Sequence, residues 1–310
     1  MDAVHDTPSA AGPGAPGELP PEFDVATYQQ HERNPDLRNL SVADARHHYE
    51  FYGRAEGRPC SAVGNRASFL SLVPNEGKLL EIGPGGRPAF PQAGEHVCYV
   101  DVLSAIELQG VAATPEYVPE IDVVWRGEPY HRLFDQKFDA VLAAGSLDHQ
   151  PCLITHLTDV AGLLKPGARY FVILPDRRYS EDYFLPDSTL GDVLEAYATR
   201  RTRHSARSLA AQLFSLTHDN AARHWAGDHG HDPNAQLPNP DLREALSAML
   251  RAVRSGADYL DARAWQFTPD GFRRMIDALA VFGLSPLRVE RLYQTVKPGQ
   301  EFYAVLRVAA

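Results

Sequence analysis

The stretch Lys78–Gly86, KLLEIGPGG, decides the fold of this chain. Its apolar residues predict a short buried strand, and glycines follow that strand at once. Glycine adopts the backbone conformations of a tight turn and lets the main chain approach a ligand closely. In open α/β sheets a loop of this kind lies at the carboxyl edge of the sheet, where cofactors bind. The stretch therefore predicts a strand that leads into a ligand-binding loop.

Strand and helix patterns alternate after this loop. The clearest helix, 151–164, has Pro151 in its first turn, and a last helix runs from Thr268 to Gly283. Two further helices are predicted, one with Ser41 as N-cap that closes at Gly53, and one over 189–203 that is capped from Ser188 or Thr189. Short apolar strands separated by helices indicate a parallel sheet covered on both faces. Two final strands lie close enough in sequence to form an antiparallel hairpin at the sheet edge. The predicted strands are 78–82, 96–101, 122–125, 138–143, 170–174, 287–293 and 301–308.

The fold class predicted from this alternation is α/β, with a doubly wound, mostly parallel, Rossmann-like sheet of seven strands. Residues 1–21 are rich in proline and glycine and are expected to form a disordered tail. Residues 22–61 carry helical patterns and form a predicted N-terminal helical cap. The core is predicted to comprise 62–175 and 265–310. Residues 176–264 interrupt the alternation and are interpreted as an inserted helical lobe for substrate.

Composition excludes several classes of protein. With 310 residues, 44% hydrophobic and 23% charged, the chain is that of a globular protein. A net charge of −10 argues against broad nucleic-acid binding, which needs clustered cations. Three widely spaced cysteines predict no disulfide framework, and no apolar run reaches the length of a membrane span. We expect a cytoplasmic protein with no membrane partner.

The carboxylate of Asp101 strengthens the prediction of a cofactor site. Asp101 ends the second strand, eighteen positions after Gly83, where an acid can accept both hydroxyl protons of a ribose. Two plainer interpretations stay open, namely a tight turn at the glycines and a helix N-cap at Asp101. A dinucleotide fingerprint needs glycine at position 88, which is Pro88, so binding of a nicotinamide cofactor is disfavoured.

Several motifs in this order resemble one family. They are the acid-x-Gly-x-Gly loop, the acid ending strand two, FDAVLAAGSLDH at 138–149, LLKPGARYFVILP at 163–175, and the terminal hairpin. Together they resemble a class I S-adenosylmethionine-dependent methyltransferase over 76–175 and 265–308, and are similar to bacterial enzymes of that kind. The resemblance implies S-adenosylmethionine as cofactor and S-adenosylhomocysteine as product.

The resemblance also implies roles for single residues. Glu81 and the glycine loop would line the methionine part of the cofactor, Asp101 would hold the ribose, Trp125 would lie against adenine, and the residues after strand four would lie near the methyl group. The acid often found after strand three is absent, and Glu128 is a candidate substitute. The candidate cofactor-binding residues are Glu81, Gly83, Pro84, Gly85, Asp101, Val102, Trp125, Ala144, Gly145 and Ser146.

Candidate catalytic residues are sought at the same edge of the sheet and in the lobe. His149 follows strand four, and its ordinary pKa suits proton removal near neutrality; the alternative is a structural histidine at a helix start. His224, Asp228 and His229 belong to a lobe segment rich in imidazoles and carboxylates. Such a segment provides a His-Asp base, a divalent metal site or solvated loop residues, and because its spacing fits no metal motif no metal is predicted.

Candidate substrate-binding residues follow strand five and lie in the lobe. Arginine there pairs with an anionic group of a substrate, and aromatic side chains wall a pocket or pack under the lobe. These candidates are Arg177, Arg178, Tyr179, Tyr183, His218 and Trp225. Asp261, just before the final helix, is interpreted mainly as part of the seam between lobe and core.

The function predicted from these patterns is methyl transfer to a small-molecule substrate. We expect O-methylation of a polar molecule, such as a sugar or a glycosylated natural product, because the lobe offers polar groups and bases. The alternatives are N- or C-methylation of a small molecule or peptide, a non-catalytic module that binds the cofactor or its product, and a nicotinamide-dependent dehydrogenase. Modification of nucleic acid is disfavoured by the charge.

Overall fold

Seven strands form one sheet in the computed structural model, which describes residues 19–91, 94–111, 118–236, 239–256 and 259–309. In chain order the strands are β1 Leu79–Ile82, β2 Val97–Asp101, β3 Val123–Val124, β4 Phe138–Ala144, β5 Leu164–Pro175, β6 Leu287–Tyr293 and β7 Glu301–Val308. Their order across the sheet is β3-β2-β1-β4-β5-β7-β6. Most of the predicted disordered tail, 1–21, lies outside the described residues.

The pairing of the strands confirms the predicted fold class. β1 is parallel to β2 and to β4, whereas β7 is antiparallel to both β5 and β6. The terminal hairpin therefore exists, and it places β7 inside the sheet and β6 at the edge. The chain order reverses between β1 and β4, so the loops after these two strands diverge and leave a crevice at their carboxyl ends.

Three of the helices begin where side-chain caps were predicted. Ser41, Thr189 and Thr268 each accept a hydrogen bond from the third backbone N–H of the helix that follows. None of the helices within the described ranges is long and apolar enough to cross a membrane. They are α1 Val25–Gln30, α2 Val42–His48 with a following π-turn Tyr49–Gly53, α3 Arg66–Leu70, α4 Ala105–Val111, α5 Leu153–Leu163, α6 Leu190–Ala198, α7 Ala206–Phe214, α8 Ala221–Trp225, α9 Arg243–Ser255 and α10 Pro269–Val281.

Two helix boundaries differ from the sequence prediction for local reasons. α5 begins at Leu153, so Pro151 lies before the N-cap residue Cys152 and outside the first turn. α6 ends at Ala198 and does not reach residue 203, because Arg200 takes a left-handed backbone conformation with φ of 50°. Both boundaries therefore depend on the conformation of one or two residues at a helix end.

Alternation along β5 shows how both faces of the sheet are covered. Tyr170 and Val172 belong to the apolar cluster that includes α5 and α10, whereas Phe171 and Ile173 belong to the cluster on the other face, which includes Phe69 of α3. Successive side chains of a strand point to opposite faces, so a fully buried strand needs apolar residues at every position. The sheet thus has the two covered faces that the apolar strands predicted.

The N-terminal segment has a small apolar core of its own, built around Tyr28 and Tyr49. It is tied to the sheet by Glu22, which accepts a hydrogen bond from the backbone N–H of Leu292 on β6 at 2.6 Å. The boundaries of the predicted cap, 22–61, stay a prediction.

Helices α6 to α9 lie in the predicted lobe, 176–264, whose two ends meet beside β5. The backbone N–H of Arg177 donates to the carbonyl of Phe267 at 3.0 Å, and that of Ser188 donates to Gln266 at 2.9 Å. Because β5 ends at Pro175, the lobe leaves the core at the carboxyl edge of the sheet.

Candidate active site

The carboxyl ends of β1, β2 and β4 enclose a cavity of about 280 Å³ at the point where the strand order reverses. Small-molecule sites range from about 300 to 1,000 Å³, so this cavity is close to the lower end of that range. Open α/β sheets bind their ligands in this crevice. The lining residues are Ile82, Gly83, Gly85, Val100, Asp101, Val102, Leu103, Leu108, Trp125, Tyr130, Gly145, Ser146, His149, Gln150, Tyr259 and Asp261.

The cavity brings together most of the residues predicted to hold a cofactor. Those that line it are Gly83, Gly85, Asp101, Val102, Trp125, Gly145 and Ser146. The candidate base His149 lines the same cavity. Glu81, Pro84 and Ala144 are not among its lining residues.

The glycine loop needs glycine for two different reasons. Gly83 has a φ of 67°, and a Cβ atom there would lie 2.5 Å from the Cβ of Ser146. Gly85 has a φ of 55°, and a Cβ atom there would meet open space. The first glycine therefore lets the loop pack against the segment after β4. The second leaves a stretch of main chain uncovered, where a ligand can approach closely.

Asp101 is buried at the cavity wall with only 7% of its surface exposed. Its two carboxylate oxygens accept hydrogen bonds from the backbone N–H groups of Gly85 at 3.0 Å and Leu103 at 3.1 Å. Burial raises the pKa of this carboxyl above its ordinary value, although those two hydrogen bonds act in the opposite direction. Each carboxylate oxygen has a second lone pair, so the group can still accept two hydroxyl protons from a ligand.

Glu81 lies behind the glycine loop. It is 1% exposed, and one carboxylate oxygen accepts a hydrogen bond from the backbone N–H of Ala89 at 2.8 Å. Burial raises its pKa to about 7. Glu81 therefore anchors the far end of the loop in this structure, and its predicted contact with a cofactor stays a prediction.

Trp125 directly follows β3, where the family resemblance expects an acid nearby. Its indole N–H donates to the carbonyl of Glu128 at 2.7 Å, which fixes the ring at the cavity wall. The carboxylate of Glu128 accepts the backbone N–H of Arg126 at 2.8 Å. Glu128 is not among the residues that line this cavity.

His149 forms the polar part of the opposite wall. Its Nδ1 lies 2.8 Å from an oxygen of Asp261. The other oxygen of Asp261 lies 3.5 Å from Nε2 of His204, a ring that also contacts the hydroxyl of Tyr259 at 3.1 Å. Asp261 therefore orients His149 through Nδ1, which leaves Nε2 as the nitrogen available for proton transfer.

Electrostatics at this wall make His149 more basic than a free histidine. Burial lowers its pKa, but the carboxylates of Asp148 and Asp261 outweigh burial, so the net shift is upward. The hydrogen bonds from His149 and His204 in turn hold the pKa of Asp261 far below its ordinary value, although burial opposes them. Asp261 is therefore ionised at neutral pH and can accept the Nδ1–H of His149.

Arg263 links this wall to a group of buried acids. Its guanidinium pairs with Glu181, and lies 3.4 Å from carboxylate oxygens of both Asp148 and Asp182. Burial raises the pKa of Asp182 to about 6, against the attraction of Arg263. Asp148 is 1% exposed, and one of its carboxylate oxygens lies 3.9 Å from Nε2 of the candidate base His149. Arg263 therefore compensates the negative charge of a buried carboxylate that lies next to this base.

Sequence reasoning placed Asp261 mainly in the seam between lobe and core, whereas the structure places it in the cavity beside His149. Tyr259, from the same segment, was not predicted as a site residue. Asp261 is 112 positions away from His149 in sequence, so no spacing rule connects the two. The apolar lining residues Ile82 and Val100 were predicted as strand residues, and their position at strand ends was the signal that they lie near a ligand.

His218, His224 and His229 form a cluster of their own, and none of the three lines the cavity. Nδ1 of His224 lies 3.0 Å from Nδ1 of His229, and its Nε2 donates to the carbonyl of His218 at 3.0 Å. Tyr183 stacks on His229 with a ring separation of 3.6 Å. Burial lowers the pKa of both His224 and His229, which favours the neutral form of each ring, so the two imidazoles contact each other without charge repulsion. Asp228 pairs with Arg223 at 2.7 Å.

The arginines after β5 are engaged within the protein. Arg177 pairs with Asp187, and Arg178 makes two hydrogen bonds to the buried carboxylate of Asp176, at 2.9 and 2.6 Å. The ring of Tyr179 stacks on Trp225 at 3.7 Å. These residues are not among those lining the cavity, and their predicted contacts with substrate stay predictions. Within the described ranges no three His, Cys, Asp or Glu side chains are arranged to hold a metal ion.

Comparison with solved structures finds methyltransferases. The chain is similar to the CcbJ methyltransferase from Streptomyces caelestis, at 17% identity over 79% of this chain and 88% of that one, with a TM-score of 0.41. An S-adenosylmethionine-dependent methyltransferase from Mesorhizobium loti has 11% identity over 78% and 96% of the two chains and a TM-score of 0.39. The magnesium protoporphyrin IX methyltransferase from Synechocystis PCC 6803, with bound S-adenosylhomocysteine, has 12% identity over 78% of this chain and 80% of that one, and a TM-score of 0.36.

No protein-family model matches the chain, and no curated protein sequence matches it. The solved structures to which it is similar have TM-scores below 0.5 and identities below 25%.

Proposed function

We propose that this chain is an S-adenosylmethionine-dependent methyltransferase that acts on a hydroxyl group of a polar small molecule, in the class of sugars and natural-product metabolites. One observation carries the proposal. A single cavity at the reversal point of the sheet has Asp101 and an uncovered glycine loop on one side and the His149–Asp261 pair on the other. The first side suits a nucleoside cofactor, and the second suits proton removal from an acceptor.

The lining residues fit the parts of the proposed cofactor. The carboxylate of Asp101 can accept both ribose hydroxyls, and the uncovered main chain at Gly85 leaves room for a close approach. Trp125 supplies a flat aromatic wall, and Val100 and Leu108 supply apolar ones, as a purine base requires. S-adenosylmethionine, when bound, supplies an electrophilic methyl group on a sulfonium sulfur.

The residues of the chain would then position the acceptor and hold its proton. Nε2 of His149 takes the proton of the acceptor hydroxyl, while Nδ1 stays bonded to Asp261 and the resulting imidazolium is stabilised by that carboxylate. The acceptor oxygen would take the methyl group that bound S-adenosylmethionine supplies, with S-adenosylhomocysteine as the other product. Because the displacement is in line, correct placement of the two reactants provides much of the rate enhancement.

Calorimetric titration with S-adenosylmethionine, S-adenosylhomocysteine and NADH tests the cofactor. We expect both sulfur compounds to bind and Asp101→Asn to weaken them about tenfold or more, because the amide keeps one acceptor oxygen but replaces the other by a donor and removes the charge. Asp277→Asn, at an exposed position on α10, is the matched control and should bind as the wild type does. Failure of both sulfur compounds to bind, or binding of NADH in their place, would contradict the proposal.

Formation of S-adenosylhomocysteine tests whether the protein is an enzyme. Wild-type protein should convert S-adenosylmethionine in the presence of a suitable hydroxyl acceptor, and His149→Gln should bind the cofactor normally but react about a hundredfold or more slowly. A module that only binds the cofactor would give the same titration but no product with any acceptor. An N- or C-methyltransferase would form product on acceptors that lack a hydroxyl, or would form it at a rate that does not change in His149→Gln.

A further inference from the structure

Tyr259 belongs to the lobe and lines the cavity at the sheet edge. The chain that follows it is fixed on the loop after β4. The backbone N–H of Ala264 donates to the carbonyl of Asp148 at 2.7 Å, and the indole N–H of Trp265 donates to a carbonyl of the same loop, also at 2.7 Å. These contacts join the returning end of the lobe to the core, so Tyr259 is held beside the candidate cofactor site.

The hydroxyl of Tyr259 forms one hydrogen bond within the part of the chain that the structure describes, to Nε2 of His204 at 3.1 Å. His204 lies between α6 and α7, and its side chain is fully buried. The same Nε2 lies 3.5 Å from a carboxylate oxygen of Asp261. Nδ1 of His204 is buried and has no hydrogen-bond partner in the described ranges. The surroundings of Nε2 therefore decide which nitrogen carries the hydrogen.

The carboxylate of Asp261 favours the tautomer of His204 that has its hydrogen on Nε2. In the other tautomer the lone pair of Nε2 would face a negatively charged oxygen 3.5 Å away, which is unfavourable. The Nε2–H group instead donates toward that oxygen and toward the oxygen of Tyr259. The Tyr259 oxygen is the acceptor in this contact, so its own hydrogen remains available for a ligand.

The hydroxyl of Tyr259 keeps this hydrogen at neutral pH. Burial raises the pKa of Tyr259 above its ordinary value, and the carboxylates of Asp261 and Asp101 add to the shift. Tyr259 therefore lies within electrostatic reach of Asp101, and the two line the same cavity. A hydrogen-bond donor from the lobe and an acceptor from the sheet thus border one space.

A ribose matches this combination of groups. When its two hydroxyls donate their hydrogens to the carboxylate of Asp101, the ribose oxygens keep lone pairs that a carboxylate cannot satisfy, because a carboxylate only accepts. A phenol hydroxyl supplies the donor that these lone pairs need. Without such a donor, a ribose oxygen enclosed by the protein would lose a hydrogen bond that it makes in water, at a cost in affinity.

We propose that Tyr259 is a cofactor-binding residue supplied by the lobe, and that its hydroxyl donates a hydrogen bond to a hydroxyl oxygen of the ribose that Asp101 holds. The inference rests on the proposed function in one respect, namely that this cavity holds the nucleoside cofactor. His204 is then a positioning residue, because it acts on the ligand through Tyr259. The lobe, interpreted from the sequence as a lobe for substrate, would hold the cofactor as well.

Calorimetric titration of the full chain with S-adenosylhomocysteine tests the contact. Tyr259→Phe removes only the hydroxyl and should weaken binding about fivefold to tenfold, because one hydrogen bond to the ligand is lost. Tyr52→Phe, at an exposed position in the N-terminal segment, is the matched control and should bind the compound as the wild type does. Equal binding by the wild type and Tyr259→Phe would overturn the inference.

The 2′,3′-dideoxy analogue of S-adenosylhomocysteine tests whether the contact is to the ribose. Because this analogue lacks both hydroxyl oxygens, the wild type and Tyr259→Phe should bind it equally, while only the parent compound binds less tightly to the variant. A loss of the same size for both ligands would overturn the inference and leave the proposed cofactor standing. If the wild type does not bind S-adenosylhomocysteine, the proposed cofactor and this inference both fail.

Two variants of His204 test its positioning role. His204→Leu removes the N–H donor and should weaken S-adenosylhomocysteine about threefold, whereas His204→Gln, which keeps an N–H donor, should restore most of the affinity. Combined with Tyr259→Phe, His204→Leu should add no further loss, because His204 acts only through the hydroxyl that is already absent. A loss in the double variant equal to the sum of the two single losses would overturn the role of His204, since a merely structural effect adds in this way.

Discussion

Replacement of Glu81 by glutamine tests how the glycine loop is anchored. Glu81 is 1% exposed, and one of its carboxylate oxygens has no hydrogen-bond partner within the described part of the chain. Burial raises its pKa from an ordinary value of 4.5 to about 7. Glutamine has nearly the same shape and can still accept the backbone N–H of Ala89, but it does not ionise.

The effect on stability depends on pH in a defined direction. A carboxyl whose pKa is higher in the folded than in the unfolded state stabilises the fold below its unfolded pKa, and that contribution is lost as the pH rises through the folded pKa. The loss for Glu81 therefore falls between pH 4.5 and about 7. At about 1.4 kcal/mol for each pKa unit, the difference between these values corresponds to about 3 kcal/mol, as an upper limit.

Urea unfolding followed by tryptophan fluorescence at pH 5 and pH 8 measures this effect. The free energy of unfolding of the wild type, relative to Glu81→Gln, should fall by up to about 2.5 kcal/mol between these pH values, because pH 5 already lies above the unfolded pKa. Glu76→Gln, at an exposed position before β1, is the matched control and should follow the wild type at both pH values. Parallel pH dependences for the wild type and Glu81→Gln would refute the reasoning, since the carboxyl would then ionise as freely in the folded state as in the unfolded one.

Three further predictions concern the site. Gly83→Ala should lower the free energy of unfolding by roughly 2–3 kcal/mol and weaken cofactor binding, because the φ of Gly83 is 67° and the added Cβ would lie 2.5 Å from the side chain of Ser146. Gly64→Ala is the control and should have neither effect, because the space around Gly64 is open. The proposed base His149 would act when neutral, and its pKa is raised above the ordinary value of 6.5, so kcat/KM should fall as the pH drops through that pKa. His149→Gln should lack this acid limb, and a profile unchanged in the variant would exclude His149 as the base. Arg263→Met should lower the free energy of unfolding in urea by about 3 kcal/mol, because it leaves the buried carboxylates of Asp148 and Asp182 uncompensated. Arg288→Met, at an exposed position on β6, should lower it by under about 1 kcal/mol, and equal losses for the two variants would contradict the role of Arg263.

The parts of the fold that depend on local patterns were predictable from the sequence. Apolar runs bounded by glycine and proline marked the strands, and Ser41, Thr189 and Thr268 marked helix starts, because a side-chain cap acts within three residues. The position of Asp101 near the glycine loop was also predictable, since the carboxyl ends of neighbouring parallel strands meet at one edge of the sheet.

The lobe's contribution to the cavity was not predictable in the same way. Asp261 reaches His149 only because the lobe returns to the sheet edge, and long-range packing of this kind leaves no periodic signal in a single sequence. For the same reason the sequence did not reveal where the histidines around His224 lie. Their rings contact one another and Tyr183, and they do not line the cavity.

Arg200 shows a third limit of sequence reasoning. The helix predicted over 189–203 runs through Arg200, and arginine is a good helix former. The structure instead places Arg200 in the left-handed position that ends α6.

A crystal structure of the protein with S-adenosylhomocysteine bound would show whether the cavity is the cofactor site. We expect the ligand in the cavity at the ends of β1, β2 and β4, with its ribose hydroxyls within hydrogen-bonding distance of Asp101 and its sulfur on the side of His149. Occupation of that cavity with the ribose away from Asp101, or binding of the ligand at any other place on the chain, would contradict it.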